Sequence, residues 1–239
     1  MRALLFPGQG SQVVGMGNEF YNSFDLVKKI FKQADEKLNF PLSKFILEGP
    51  ESELQLTKNT QPAILTVSFS IFKVLKEEFN YDLNSIRYYA GHSLGEYSAL
   101  VCLNSLDFLD AIFLLHERGK AMQEAVPLGM GSMLAVLGTK ISDIRMLIDS
   151  DLDKTKDNVC EIANDNAEGQ VIISGEKKTV EKFQTILKKK KIKCIPLKVS
   201  APFHCSLMRP AAEIMSKKIE KINFKVLSSE IISNVTSKP

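Results

Sequence analysis

Cysteine is sparse and unpaired in this 239-residue sequence: Cys102, Cys160, Cys194 and Cys205 are scattered singles, and no two form a C-x-x-C pair. That spacing offers no disulfide framework, and isolated cysteines in a chain of this size read as reduced thiols of a cytoplasmic protein. Long apolar runs are missing too. None approaches the roughly 18 residues that a membrane span needs. The start, MRALLFPGQGSQ, has one arginine and a short apolar run before Pro7, which is not the layout of a secretory signal. Charge of one sign is also scarce: 31 Lys and Arg against 28 Asp and Glu leave a net +3. So small an excess does not argue for nucleic acid, although it is compatible with an acidic protein partner. Neither an internal repeat nor a low-complexity linker interrupts the chain. What remains is ordinary globular composition, 44% hydrophobic and 25% charged, with length enough to bury a core. A soluble cytoplasmic protein is expected, with neither nucleic acid nor membrane as partner.

The pattern along the chain is that of an α/β protein. Residues 1–6 form a short apolar run that meets Pro7-Gly8, a buried strand entering a loop. Residues 19–38 and 62–79 carry helical spacing, and Pro62 suits a first helical turn. A strand over 86–90 ends at Gly91, a helix follows over 96–103, and Ser105 is placed to cap a further helix that Pro127 stops. Beyond Pro127 the pattern changes. Strands are expected at 132–137, 159–163, 171–174 and 192–197, with helices at 141–149 and 176–190 between them. That βαββαβ order is the ferredoxin-like one. The expected organisation is an α/β-hydrolase-like large domain with a parallel sheet, residues 1–126 and 198–239, into which a ferredoxin-like small domain, residues 127–197, is inserted. The large domain resumes at Val199 and holds a helix over 210–221.

Gly91-His92-Ser93-Leu94-Gly95 is G-x-S-x-G lying between an expected strand and an expected helix, the setting of a nucleophile elbow. The glycines keep a tight turn uncrowded, and the helix N-terminus supplies N–H groups to an oxyanion. The plainer reading is a serine that caps an ordinary helix. A nucleophilic serine needs a base, and there are three histidines to choose from. His92 adjoins Ser93 and should point away. His116 lies in an apolar helical run and reads as a satisfied structural histidine. His204, in a loop after a strand, is the favoured base. No third acid stands out: Asp165 is a weak candidate that equally caps a turn, and a backbone carbonyl can orient a histidine instead.

Several segments together carry a resemblance. Phe6 to Gln12 (FPGQGSQ), Gly91 to Glu96 (GHSLGE), Arg118-Gly119, Ala163 to Asn166 with Gly169 to Val171, Ala201 to His204 (APFH) and Ser233 to Thr236 (SNVT) follow one another in the order found in the malonyl-CoA:acyl carrier protein transacylases. The chain resembles that family from end to end. The resemblance implies that Ser93 is acylated and that His204 is general base and then general acid. It places Gln9 and the Leu94 N–H in an oxyanion hole. Arg118 would bind the malonyl carboxylate, with Asn164, Phe203 and Met122 lining the substrate site. A guanidinium suits that task because its two parallel donors match a carboxylate; read without the family, Arg118 pairs equally well with Glu117 or Glu124. A bulky Phe203 beside the base leaves little room for an α-methyl on the acyl group, a preference worth only ~1–3 kcal/mol. Malonyl-CoA and acyl carrier protein are the implied partners, the protein is expected to be a monomer, and no metal or redox cofactor is implied.

Two departures from the family's pattern accompany the resemblance. The chain ends at Pro239, just after SNVT, and is short for the family, so poor activity or aggregation is expected of it; Cys205 stands where serine is commoner. A lysine run, Lys188 to Lys191 with Lys193, reads either as a solvated helix end that suits the dipole or, with Lys177, Lys178 and Lys182, as a face that docks an acidic carrier protein. An esterase or thioesterase shares the serine motif and a histidine but not the Gln9 loop or Arg118. An inactive remnant is the non-enzymatic alternative, which the intact Ser93, His204, Arg118 and Gln9 oppose.

Overall fold

A computed structural model describes residues 2–152, 158–197, 199 and 201–239. Met1 and Ser200, which the sequence places in the first strand and in the loop before His204, lie outside the described residues. The chain forms two compact units, Met1–Lys120 with Lys217–Pro239, and Ala121–Ser216. The expected 127–197 segment lies within the second.

The first unit opens with β1 (Arg2–Phe6), α1 (Asn18–Ser23), α2 (Asp25–Leu38), α3 (Leu42–Leu47), α4 (Glu51–Leu54) and α5 (Thr57–Glu77). It continues with β2 (Ile86–Gly91), α6 (Gly95–Cys102) and α7 (Phe108–Glu124), which carries the chain into the second unit. In α2 the buried positions Val27, Ile30, Phe31 and Ala34 share one face, as the apolar spacing requires.

The single helix expected over 19–38 is two. Phe24 is extended (φ −129°), its N–H closes α1 on Phe20 O, and its carbonyl receives the first N–H groups of α2. Its ring lies between those of Phe20 and Phe79, each at 6.1 Å, and this packing turns the chain where helical spacing runs on. A second correction concerns α5, which begins at Thr57, so Pro62 sits inside the helix and not in its first turn. An internal proline orphans the carbonyl four residues earlier, here that of Lys58. His116 Nδ1 lies 2.9 Å from that oxygen. Since a carbonyl only accepts, the ring carries its proton on Nδ1, and His116 is structural, as expected. A third correction is the cap of α7. Asp107 Oδ1 accepts the N–H groups of Leu109 (2.8 Å) and Asp110 (3.3 Å), whereas the Ser105 hydroxyl donates to Lys225 O at 2.7 Å.

The second unit contains β3 (Gly131–Leu137), α8 (Ile141–Asp151), β4 (Cys160–Ala167), β5 (Gln170–Glu176), α9 (Lys177–Lys189) and β6 (Lys193–Pro196). The strands pair antiparallel in the order β4-β5-β3-β6, the ferredoxin-like arrangement that the βαββαβ pattern predicts. Alternate residues of β3 serve two cores. Leu134 and Val136 pack with Ile144, Phe183 and Leu187, while Met133 and Ala135 pack with Met122, Phe203 and Met208. The chain returns through α10 (Arg209–Ile219) to β7 (Glu230–Ile232), a short strand that the sequence did not announce. Strands β1 and β7 flank β2, both parallel to it. β2 is thus the middle strand of the first unit's sheet, with Phe6, Phe72, Tyr89, Ala99 and Cys102 in its core. Among the described residues no helix is long and apolar enough to cross a membrane.

If His116 exists to satisfy the carbonyl that Pro62 frees, His116→Leu costs about 1–3 kcal/mol in urea unfolding. In a Pro62→Ala background, where the helix regains its own donor, most of that cost disappears. Equal costs in both backgrounds would show that the histidine matters only by packing.

Candidate active site

The turn from β2 to α6 holds Ser93 at φ +54°, a left-handed conformation that non-glycine residues adopt at a cost of ~1–3 kcal/mol. The two glycines of the motif explain how the turn closes. A Cβ on Gly91 would lie 1.9 Å from the carbonyl carbon of Gly95, and one on Gly95 would lie 2.5 Å from Phe6 O. The His92 N–H donates to Phe6 O at 3.1 Å, which ties the turn to the end of β1. Gly8, in the loop after β1, packs so closely on His92 that a Cβ would meet its Nδ1 at 2.5 Å. The helix-cap reading of Ser93 is not what forms: α6 has no side-chain cap, and Ser93 Oγ accepts a hydrogen bond from Arg118 Nη2 at 3.1 Å.

Backbone donors at the turn have different fates. The Ser93 N–H donates to Asn234 Oδ1 at 2.9 Å. That of Leu94 meets no acceptor among the described residues and stays available at the N-terminus of α6. In the loop after β1, Gln9 Nε2 donates one hydrogen to Thr57 Oγ1 at 3.3 Å, leaving the other for a ligand. Gln12 stiffens this loop. Its Oε1 accepts Gly10 N–H at 2.7 Å and its Nε2 donates to Gln55 Oε1 at 2.6 Å. Neither Gln12 nor Asn234 was singled out from the sequence by role; Gln12 reaches Gln55 and Asn234 reaches Ser93 across long sequence separations.

Arg118 reaches Ser93 because α7 lies directly on the start of α5: a Cβ on Gly119 would sit 2.4 Å from Thr57 O. Its Nη1 donates to Oε1 of buried Gln61 at 2.7 Å, and its guanidinium lies 5.8 Å from the centre of the Tyr97 ring. Burial pushes the Arg118 pKa below its ordinary value, with Tyr97 and Glu96 countering. The group stays cationic. Among the described residues neither Glu117 nor Glu124 pairs with it; Glu117 binds Lys218 at 2.8 Å instead.

The remaining candidates belong to the second unit. His204 also has positive φ, +60°. Its loop is pinned on both sides. Pro202 fills the space over Gly131, where a Cβ would be 2.2 Å from its Cδ, and Glu161 of β4 accepts Ser206 N–H at 2.8 Å and Ser206 O–H at 2.6 Å. Cys205 donates to Pro202 O at 3.1 Å, and burial raises its thiol pKa. Met122 and Phe203 are buried together in that unit's apolar cluster. Asn164 sits at an irregularity in β4, opposite Ile172, and Asp165 faces Val171 in the same ladder, exposed. Among the described residues no group of three or more His, Cys, Asp or Glu is placed to hold a metal ion. Lys188 and Lys189 close α9, where cations suit the dipole, and Lys177 and Lys178 open it.

An acyl transferase domain model matches residues 3–239. The malonyl CoA-acyl carrier protein transacylase of Bacillus subtilis is 43% identical over 237 residues, which cover 98% of this chain and 73% of that protein. The chain belongs to the malonyl-CoA:acyl carrier protein transacylase family. The Escherichia coli K12 transacylase is 40% identical over 237 residues, covering 99% of this chain and 75% of that one. The acyl-carrier-protein-S-malonyltransferase of Bartonella henselae superposes with a TM-score of 0.94 at 39% identity, over 100% of this chain and 76% of that chain. A malonyl-transacylase solved in complex with its type II PKS acyl-carrier protein superposes at 0.92 with 40% identity, over 99% and 75%. As in those transacylases, a parallel sheet and a separate antiparallel sheet are combined in one chain. The protein is an acyltransferase.

The elbow makes a steric prediction. Gly91→Ala sets a Cβ against backbone and destabilises the protein by roughly 3 kcal/mol or more. Gly129→Ala, with positive φ but open space around it, costs about 1 kcal/mol. Thermal unfolding of the pair checks the difference, and similar melting points would show that the turn opens without penalty.

Proposed function

We propose that this transacylase moves the malonyl group of malonyl-CoA to the phosphopantetheine thiol of acyl carrier protein, through a malonyl ester on Ser93, in fatty acid biosynthesis in the cytoplasm. The observation that carries the reading is the guanidinium of Arg118 within 3.1 Å of Ser93 Oγ. A malonyl carboxylate lies one methylene from the carbonyl that the serine attacks, so a fixed cation beside the nucleophile receives it. Gln61 holds one edge of the guanidinium and leaves the other to pair with the carboxylate.

The reaction runs in two halves. His204 takes the Ser93 proton as Oγ attacks the thioester carbon, and the oxyanion is received by the Leu94 N–H and the free Gln9 Nε2–H. Collapse breaks the C–S bond, and CoA leaves with the proton from His204. The phosphopantetheine thiol then attacks the malonyl ester, giving its proton to His204, and Ser93 recovers it as the new thioester forms. Each half needs proton transfer and charge stabilisation only, which the chain's own residues supply. Asn164, Met122 and Phe203 line the acyl site in this reading, with Phe203 disfavouring an α-methyl. The likeness to a transacylase solved with its carrier protein supports the carrier as partner. The exposed lysines Lys177, Lys178, Lys182, Lys188, Lys189, Lys190, Lys191 and Lys193 of α9 and its flank give an acidic partner a complementary face.

Incubated with malonyl-CoA, the protein gains one malonyl group on the peptide that contains Ser93, read by mass spectrometry. Label on another residue, or label that persists in Ser93→Ala, refutes the serine ester.

Arg118→Ala removes a charge-assisted pair from malonyl and not from acetyl. Malonyl kcat/KM falls by about 3 kcal/mol, a factor on the order of 100, whereas acetyl transfer changes by a few-fold. Equal losses for the two acyl groups would make Arg118 a structural residue.

A further inference from the structure

We propose that Asn234 is a positioning residue that holds the nucleophile elbow shut and leaves Leu94, not Ser93, as the backbone donor to the oxyanion. The proposal rests on Ser93 being the nucleophile. The side chain of Asn234 spans the whole turn. Its Oδ1 accepts Ser93 N–H at 2.9 Å, and its Nδ2 donates to Gly91 O at 2.7 Å and to Glu96 Oε2 at 2.6 Å. The orientation of the amide is forced, because a backbone N–H only donates and a carbonyl and a carboxylate only accept. One acceptor and two donors are all engaged, at the last residue of β2, the apex of the turn and the first turn of α6.

The chain delivers this residue by strand pairing. β7 runs parallel to β2 with Ile232 opposite Ala90, so the residues just after β7 arrive beside the turn just after β2. The Asn234 N–H adds a longer contact to Glu96 Oε2 at 3.4 Å. Such a clamp has a definite chemical effect. Of the two adjacent N–H groups at the turn, those of Ser93 and Leu94, Asn234 occupies the first. The turn therefore presents one backbone donor, and Ser93 keeps the positive φ that aims its hydroxyl.

Asn234 is exposed, so water can replace its hydrogen bonds when the side chain is removed. Water satisfies the polar groups but does not fix the angle of the turn. Removing the amide should therefore cost much more in rate than in stability. For Asn234→Ala we expect kcat to fall roughly 10- to 100-fold with KM for malonyl-CoA within about threefold. Phosphonylation of Ser93 by a fluorophosphonate, with release of fluoride, should slow by a similar factor, while the melting transition stays cooperative and close to that of the wild type. Asn234→Asp keeps the acceptor for Ser93 N–H, loses both donors and sets a carboxylate beside Glu96, so it should be no faster than the alanine variant. Wild-type kcat and labelling rate in either variant overturn the clamp, as does a rate loss fully accounted for by a fallen melting point. If wild-type Ser93 takes neither malonyl nor phosphonate, the serine reading falls and the clamp with it. If the wild type labels and Asn234→Ala labels as fast, only the clamp falls.

Discussion

Two positions without side chains allow β2 to turn into α6 in so few residues. At Gly91 and Gly95 the backbone of the turn, of α6 and of β1 come closer than any Cβ would permit. Closure forces Ser93 into the left-handed region, where its hydroxyl meets Arg118. The position of α6, the Leu94 N–H left without an acceptor among the described residues, and the reach of Arg118 to Ser93 Oγ all follow from this contact. Strain at the serine is repaid by hydrogen bonds that cross the turn, and the segment just after β7 supplies the residue that makes them.

The cation at the site depends on a second close approach, between α5 and α7. Gly119 lets α7 rest on the backbone of Thr57 and Lys58. Pro62, which would leave a carbonyl unpaired inside α5, is accommodated because His116 comes from α7 to meet that carbonyl. The same pair of helices then supplies Gln61 and Arg118, which bond to each other at 2.7 Å. A proline, a histidine, a glycine, a glutamine and an arginine are thus one device: the first three set the spacing of two helices and the last two use it.

Much of this was legible in the sequence because it is local. Glycine and serine at fixed spacing between a strand and a helix define the elbow, and the βαββαβ order of apolar runs gives the antiparallel sheet without reference to the rest of the chain. Where reading failed, a distant residue had decided the outcome. The break at Phe24 is set by the ring of Phe79, and the helical start at Thr57 depends on a histidine from another helix. Ser105 and Asp107 are both good caps by type, and the hydroxyl of Ser105 was drawn to Lys225 O. Asn234 lies in a recognisable SNVT segment, but that its amide would hold Ser93 depends on the pairing of β7 with β2, which no periodicity announces. Arg118 stands between these cases: its neighbours in sequence offered two glutamates, and its neighbours in space offered a glutamine and the serine.

The antiparallel sheet has a further property that follows from burying both of its faces. In a sheet with one wet face, a slip of one residue exposes every apolar side chain and is strongly resisted. β3 lacks that safeguard, because Met133 and Ala135 are as apolar as Leu134 and Val136, and a slipped strand would still present hydrocarbon to both sides. Alignment here is kept by small residues in tight places. Gly131 lies under Pro202, and Gly175, paired with Ser132, leaves no room for a Cβ against Val159 O. Shift β3 by one and a serine meets the proline. The histidine loop is built on that proline, so the strand is aligned at the point where the loop carrying His204 is anchored, and an error of register would be felt first as a displaced imidazole.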